Sequence, residues 1–522
     1  MPRPYDPKAA DLSVFDALLA AKDKYGAKKP ILEDQERRVL TYTDVLRAAF
    51  VLGRKIAAMT ERGERVAVLL PTSSGAVVTF YALHCIGRVP VMLNFTSGLR
   101  NLRAALKLAK VKRILTSRRF VEQGKLEDIV DAFEPYYEIT YLEDVRAKIG
   151  LRDKVFAVTA MLAPKQFRVA TKPSDPGVVL FTSGSFGAPR AVLLTQANLL
   201  ANVEQISAHI DLDPDWVLFN PLPVFHCFGL VGGVLLPLLR GMKGFEYPSP
   251  LHIKQIPQLL KDSKASILLA TDTFVNQYAR AAEADELSGL RFIVCGAEKV
   301  REETHDLIAA KFGPIPVLEG YGATECSPVI AVNTPIDNRR GTVGGLVPGM
   351  ETRLDPVDGI HRGGKLMVRG PNVMAGYLKE DGGIEPPVDG WHDTGDVVEI
   401  SPDNWITILG RVKRFAKIGG EMVSLTAAES LAAQVWPDAR HAVISVPDPK
   451  KGERLILLTD RYDATPEKLI EHAQATGAPE LSVPRKILKV PQIPVLGTGK
   501  TDYVAIQRIA ETELALGLGR AA

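Results

Sequence analysis

Apolar and polar positions in the first part of the chain fall into a repeating rhythm of short apolar runs separated by helix-length stretches. RVAVLL at 65–70, stopped by Pro71, reads as a buried strand, 74–86 as a helix and 89–93 as the next strand. A helical stretch at 106–109 followed by VKRILT at 111–116 repeats the order, and the rhythm returns at 266–270 and 292–295. Short apolar strands alternating with helices predict parallel sheets built from βαβ units. The longest apolar stretches, 76–86 (broken by Thr79 and His84) and 228–239, fall short of the ~20 residues a membrane-spanning helix needs and read as core helices.

Between about 152 and 177 the rhythm lapses and Pro164, Pro173 and Pro176 accumulate, which predicts a connection between subdomains. From 341 to 410 the texture changes to short strands with Gly and Pro turns, such as GKLMVRG at 364–370. Residues 397–400 and 405–409, joined by Ser401-Pro402-Asp403-Asn404, predict a β-hairpin. After Arg411 the pattern is α+β, with helices near 426–435 and 466–474. The expected fold is therefore α/β. A large N-terminal domain (1–410) of βαβ-type sheets with a small β-rich subdomain precedes a small mobile α+β domain (411–522). A length of 522 residues agrees with several domain-sized units.

Composition changes this picture little. Lys plus Arg is 64 against 61 for Asp plus Glu, a net charge of +3, and no block of like charge suggests nucleic acid. Cys85, Cys227, Cys295 and Cys326 form no CxxC pair and sit in apolar or Gly-rich stretches, so buried reduced thiols are expected, not a disulfide frame or zinc site. The opening MPRPYD lacks the apolar core of a secretory signal, and a cytoplasmic protein is expected. Peripheral contact with the inner face of the membrane is left open.

Chemistry enters most sharply at 177–194, GVVLFTSGSFGAPRAVLL. An apolar strand at 178–181 runs into a loop of Thr, Ser and Gly, and a helix begins near Thr195, its N-cap. Small residues let backbone N–H groups close on phosphate oxygens, and the hydroxyls of Thr182, Ser183 and Ser185 add donors. Taken alone the loop could equally be a turn, and its spacing fits neither GxxxxGK[ST] nor GxGxxG. Gly499-Lys500-Thr501 mimics the end of a P-loop, but Pro494 stands where that motif's first Gly belongs.

The segment TSGSFGAPRAV resembles the phosphate-loop signature of the adenylate-forming superfamily, which spans acyl-CoA synthetases, luciferases and peptide-synthetase adenylation domains. The later signatures follow in that family's order: PLPVFHCFG (221–229), GAE (296–298), EGYGATE (319–325), WHDTGD (391–396), GRVKR (410–414), KIGGE (417–421) and LGTGK (496–500). The resemblance implies ATP and Mg2+ as cofactors and a role for each matching position. Thr182, Ser183, Gly184, Ser185, Gly187 and Arg190 would hold the β- and γ-phosphates. Gly296, Ala297 and Glu298 would border adenine and the acyl pocket. Glu319, Gly320, Tyr321 and Gly322 would line the nucleotide, with Tyr321 stacked on the base.

Thr324 would contact the α-phosphate, Glu325 would ligate magnesium, Asp396 would accept the ribose hydroxyls, and Arg411 would support the ribose. His226 would sit beside the substrate carboxylate, unless it is simply a core histidine between Phe225 and Phe228. Lys500 would stabilise charge on the α-phosphoryl group, a contact whose loss typically costs ~10²–10³ in rate. Lys413 would be the hinge of the mobile domain. Lys417, Gly419 and Gly420 would line the thiol's path, although Lys417 also reads as a plain solvated charge. The sequence departs from the pattern at Phe186 (Thr or Glu is common), Arg190 (for Lys) and Ala191 (for Gly), positions that bear on loop closure and turnover.

Six further segments resemble one branch, the acyl-ACP synthetase half of the bifunctional acyl-ACP synthetase/2-acylglycerophosphoethanolamine acyltransferase. They are FDALLAAKDKYG, GRVPVMLNFT, LTSRRFVE, YPSPLH, GRVKRFAKIGGEMVSL and PELSVPRKI. The acyltransferase's H-x4-D signature is missing from the chain: His209 has Pro214 at the required place. The implied activity is ATP-dependent conversion of a medium- or long-chain fatty acid to acyl-AMP, then transfer to the pantetheine of holo-acyl carrier protein. Arg411, Lys413, Arg414 and Lys417 could face that acidic carrier or be a solvated surface. A fatty acyl-CoA ligase is the alternative. A non-catalytic nucleotide or acyl binder is the third reading, opposed by Glu325, Asp396 and Lys500.

Overall fold

The computed structural model describes residues 3–183, 189–360, 362–418, 421–448, 451–495 and 501–518. The chain divides into two compact units, residues 1–351 with 369–392, and residues 352–368 with 393–522. The expected boundary between 410 and 411 falls inside the second unit, where the strand Ile406–Arg411 ends.

The first unit holds two large sheets. The strand Arg65–Val68, the helix Ser74–Cys85 and the strand Val89–Met92 form the predicted βαβ unit, and Arg113–Thr116 pairs on the other side of Arg65–Val68. Both pairings are parallel, as the helix-length connections require. Pro176–Ser183 continues this eight-stranded sheet in parallel with Val89–Met92. The second, nine-stranded sheet runs Val317–Gly322, Phe292–Cys295, Ile267–Ala270, Val217–Asn220, Lys243–Glu246 and Pro30–Asp34 as parallel neighbours, with antiparallel strands at each edge. Ser74–Cys85 is buried on nearly every side, which is why its sequence is apolar all round.

Two local expectations differ from the structure. The connection expected at 152–177 contains regular structure that the sequence did not announce: Leu151–Leu162 is a helix, opened by Gly150, whose backbone N–H donates to Asp153 Oδ2 at 2.9 Å. Its buried face is small residues, Ala157 and Ala160, with Asp153, so the apolar periodicity that marks a core helix is missing. The helix expected at 228–239 is present, but Phe228–Leu235 winds as a π-helix before Leu236–Leu239 becomes α-helical. Gly229 and Gly233 sit in it where a Cβ would lie 2.4 Å from Pro223 O and 2.0 Å from Asn220 Nδ2, so only glycine fits.

The second unit contains a four-stranded sheet, Glu351–Asp355, Gly364–Arg369, His392–Ile400 and Ile406–Arg411, and a five-stranded sheet covered by the helices Leu425–Val435 and Pro466–Thr476. The predicted hairpin stands, with Asn404 at φ +65° in its turn. All four cysteines are free and buried. No helix among the described residues is long and apolar enough to cross a membrane.

Candidate functional site

Most of the motifs singled out in the first unit leave the carboxyl ends of neighbouring parallel strands. PLPVFH follows Val217–Asn220, GAE follows Phe292–Cys295, and EGYG forms the strand Val317–Gly322 itself, ending at Thr324 and Glu325. Open parallel sheets bind ligands at that edge. Cys295 is in register with Glu319, which brings GAE beside EGYG. Glu298 Oε2 accepts the Thr273 N–H at 3.1 Å, tying the GAE turn to the start of the helix Asp272–Ala281. Ala297 takes φ +71°, a left-handed backbone that a non-glycine residue rarely adopts, and such strain gathers at functional sites.

Thr324 and Glu325 lie in a single 3-10 turn, Thr324–Cys326, that packs on both Pro176–Ser183 and Pro189–Thr195. This turn is the meeting point of the nine-stranded and eight-stranded sheets. Gly322 lets the chain close on itself around this turn, since a Cβ there would lie 2.1 Å from Pro328 O. Asn372, fully buried, holds the turn from behind. Its Nδ2 donates to Cys326 O at 2.6 Å and to Val329 O at 3.1 Å, and its backbone carbonyl oxygen accepts the Ser327 hydroxyl at 2.8 Å.

The phosphate-loop segment differs from the expected strand–loop–helix. Pro189–Thr195 is a strand antiparallel to Pro176–Ser183, with Thr182 opposite Arg190, and the helix Gln196–His209 begins only after it. The four central residues of that strand, 191–194, are fully apolar and buried, which favours sheet over helix. Thr195 is the N-cap as predicted, in a reciprocal capping box with Asn198. The loop residues Gly184, Ser185, Phe186 and Gly187, and the side chain of Ser183, lie outside the described residues, as do Gly419, Gly420 and Lys500.

Sequence reasoning missed Tyr377. The strand Gly376–Leu378 pairs with Pro189–Thr195, Tyr377 opposite Val192. Its hydroxyl donates to Glu325 Oε1 at 2.7 Å, and the Arg190 guanidinium carbon stands 3.4 Å from its ring centroid. Burial first, then the Glu325 charge, pushes the phenol well up, so it stays a donor. Arg190, Tyr377 and Glu325 thus form one chain from cation to carboxylate. No spacing signal announces Tyr377, which stands 52 residues from its partner.

Magnesium fits this site. The described residues contain no cluster of three or more His, Cys, Asp or Glu side chains that could cage a metal. Magnesium bound with a nucleotide needs few protein ligands, taking the rest from phosphate and water. Glu325 with its neighbour Thr324 would be such a sparse set.

Other expected residues have plainer surroundings. Tyr321 is 9% exposed and lies opposite Ala331. Glu319 is buried with Oε2 lacking a hydrogen-bond partner among the described residues, and burial pushes its carboxyl up to about 8. His226 sits 4.8 Å from the Phe225 ring, and Phe225 packs in turn on Phe95.

In the second unit, Asp396 and Arg411 are in register across the hairpin, and Arg411 Nε donates to Asp396 Oδ1 at 2.7 Å. Asp396 is buried while Arg411 is largely exposed. Lys413 lies in the turn Val412–Arg414, and Lys417 is exposed on Phe415–Ile418. Arg414 does not belong to a solvated basic face. It donates to Glu429 Oε1 at 2.6 Å and to Val443 O at 2.8 Å, with its guanidinium over the Tyr503 ring.

Residues 19–378 match the family described as AMP-binding enzyme. The chain is 27% identical to a 4-coumarate–CoA ligase of Vanilla planifolia, over 82% of this chain and 81% of that one. It is 26% identical to a medium-chain fatty-acid–CoA ligase of Escherichia coli K12, over 90% and 85%. ATP-bound MatB from Rhodopseudomonas palustris shares the fold at a TM-score of 0.82, with 24% identity over 96% of this chain and 99% of that one. With the motif-bearing strands in place and the match covering more than half its length, the chain belongs to the AMP-binding enzyme family.

Proposed function

We propose that this AMP-forming acid–thiol ligase activates a medium- or long-chain fatty acid and transfers it to the pantetheine thiol of holo-acyl carrier protein. The observation that carries the adenylation half is the Arg190–Tyr377–Glu325 chain at the junction of the two sheets. An acid carboxylate and ATP repel each other, and an exposed guanidinium beside the phosphate loop relieves that repulsion. The carboxylate oxygen attacks the α-phosphorus and pyrophosphate departs. The thiol then loses its proton, its sulfur attacks the acyl carbonyl, and AMP leaves.

Under this reading Thr182, Ser183, Gly184, Ser185, Gly187 and Arg190 grip the β- and γ-phosphates. Glu325 would hold magnesium, which would supply positive charge against the phosphates. Tyr321, Gly320, Gly296, Ala297 and Glu298 border the base and the acyl group, and His226 faces the carboxylate. Asp396 and Arg411 serve the ribose. Lys500 acts in the first step and Gly419 and Gly420 in the second, exchanged by movement of the 411–522 domain about Lys413.

The fatty acid is supported by the medium-chain relative above and by the six acyl-ACP synthetase-like segments. The carrier protein rests on those segments alone. CoA is the second reading, favoured by the CoA ligases among the relatives and by the engagement of Arg414 with Glu429, which thins the basic face. A cytoplasmic protein with peripheral membrane contact completes the proposal.

Offering ATP, magnesium and palmitate with equal holo-carrier protein and CoA, and identifying thioesters by mass spectrometry, tests it. Preferential carrier loading supports the first reading. Preferential acyl-CoA transfers the enzyme to the second.

A further inference from the structure

The helix Leu151–Leu162 carries an apolar face turned outward. Leu151, Val155, Val158 and Leu162 are 77%, 55%, 56% and 83% exposed. At 100° per residue these four positions fall within about 60° of one another on the helix wheel. Single exposed aliphatics are ordinary, but four aligned on one twelve-residue helix are not. The opposite face is anchored: Ala157 and Ala160 are buried, Arg54 lies over the Phe156 ring, and Asp153 takes Lys55 at 2.7 Å.

The charge around this stripe is one-sided. Residues 146–172 contain seven basic residues and a single acidic one, with the acids Glu143, Asp144 and Asp175 lying just outside that stretch. The acid, Asp153, is buried and already paired with Lys55. Of the cations, Arg146, Lys148, Arg152, Lys154, Lys165 and Lys172 are exposed, and none forms an ion pair among the described residues. Arg152 and Lys154 flank the stripe, one on each side. An apolar strip bordered by cations is the pattern of a helix lying in a lipid headgroup layer.

We propose that the helix Leu151–Leu162 docks this protein on an anionic phospholipid surface, its four aliphatic side chains entering the acyl boundary and the flanking cations meeting lipid phosphates. An acidic carrier protein would answer the charge but not the four exposed aliphatics, and lipid answers both. The benefit to the enzyme, access to membrane-dissolved acid, rests on the fatty-acid reading; the surface itself does not.

The test is co-sedimentation of the full chain with vesicles of phosphatidylcholine alone or with 30 mol% phosphatidylglycerol, without ATP, acid or thiol, so that it is blind to which acid is activated. Binding to the anionic vesicles that weakens with salt is expected. At roughly fivefold per surface cation, Arg152→Gln with Lys154→Gln should weaken it about 30-fold. Leu151→Ser with Leu162→Ser should weaken it at least ~10-fold at any salt concentration. All four positions are exposed, so both variants should melt with the unaltered protein. No binding to anionic vesicles, or binding unchanged in both double variants, would overturn the proposal. So would unchanged vesicle binding accompanied by lost transfer to a carrier protein, which would give the surface to that partner.

Discussion

Tyr377→Phe is the sharpest probe of the junction. It deletes one hydroxyl and keeps the ring on which Arg190 lies. What is lost is the 2.7 Å hydrogen bond to Glu325 Oε1. A hydrogen bond to an ionised group is worth about 1.5–3 kcal/mol, against about 1 for a neutral pair. If that bond fixes Glu325 in the orientation the reaction needs, the loss falls on the rate, as a drop of about 10- to 150-fold. If it serves only the fold, the loss falls on stability. ATP–pyrophosphate exchange, measured across a magnesium titration beside thermal melts, separates the two. We expect exchange to drop by at least ~10-fold, the half-saturating magnesium concentration to rise, and the melting temperature to move little. Exchange within twofold of the unaltered enzyme at every magnesium concentration would refute the positioning role.

Three further outcomes are expected. Arg190→Lys keeps the charge but loses the guanidinium contact with the Tyr377 ring, and exchange should fall only about two- to fivefold, the worth of an exposed cation–π contact. Asn372→Ala strands Cys326 O and loosens the Thr324–Cys326 turn, costing about 2–4 kcal/mol in urea denaturation. Glu319 stays protonated in the native state to about pH 8, while in the unfolded chain it ionises near 4.5. Its effect is therefore to make the protein less stable as pH rises from 4.5 to 8, by about 3–5 kcal/mol at the upper end. Glu319→Gln should remove that slope, so denaturation midpoints of the two proteins should diverge between pH 5 and pH 8.

What was legible in the sequence is what local pattern encodes. The parallel strands at 65–68, 89–92, 267–270 and 292–295, the N-cap at Thr195 and the hairpin turn at Asn404 all announce themselves through apolar runs and turn residues. The helix Leu151–Leu162 was hidden because its pattern is inverted, with its largest aliphatics facing out and alanines facing in. Tyr377 was hidden for another reason. Its meaning comes from sheet neighbours, Val192 in register and Glu325 across the junction, and no spacing carries that. Arg414 looked like a surface charge beside Lys413, but Glu429, fifteen residues on, claims it.

The departures from the family pattern take on a definite physical sense in this setting. Ala191 is fully buried in an extended strand, paired with Phe181, and its backbone is not in the left-handed region that would call for glycine. Alanine there adds packing and costs no strain. Arg190, its exposed neighbour, points the other way along the strand, as alternate residues must. A lysine would bring a point charge to that spot, whereas a guanidinium brings a plane, and Tyr377 supplies the face for it. The arginine and the tyrosine are therefore best understood as one device. The tyrosine touches both cation and carboxylate, so a change at Arg190 should be felt at Glu325.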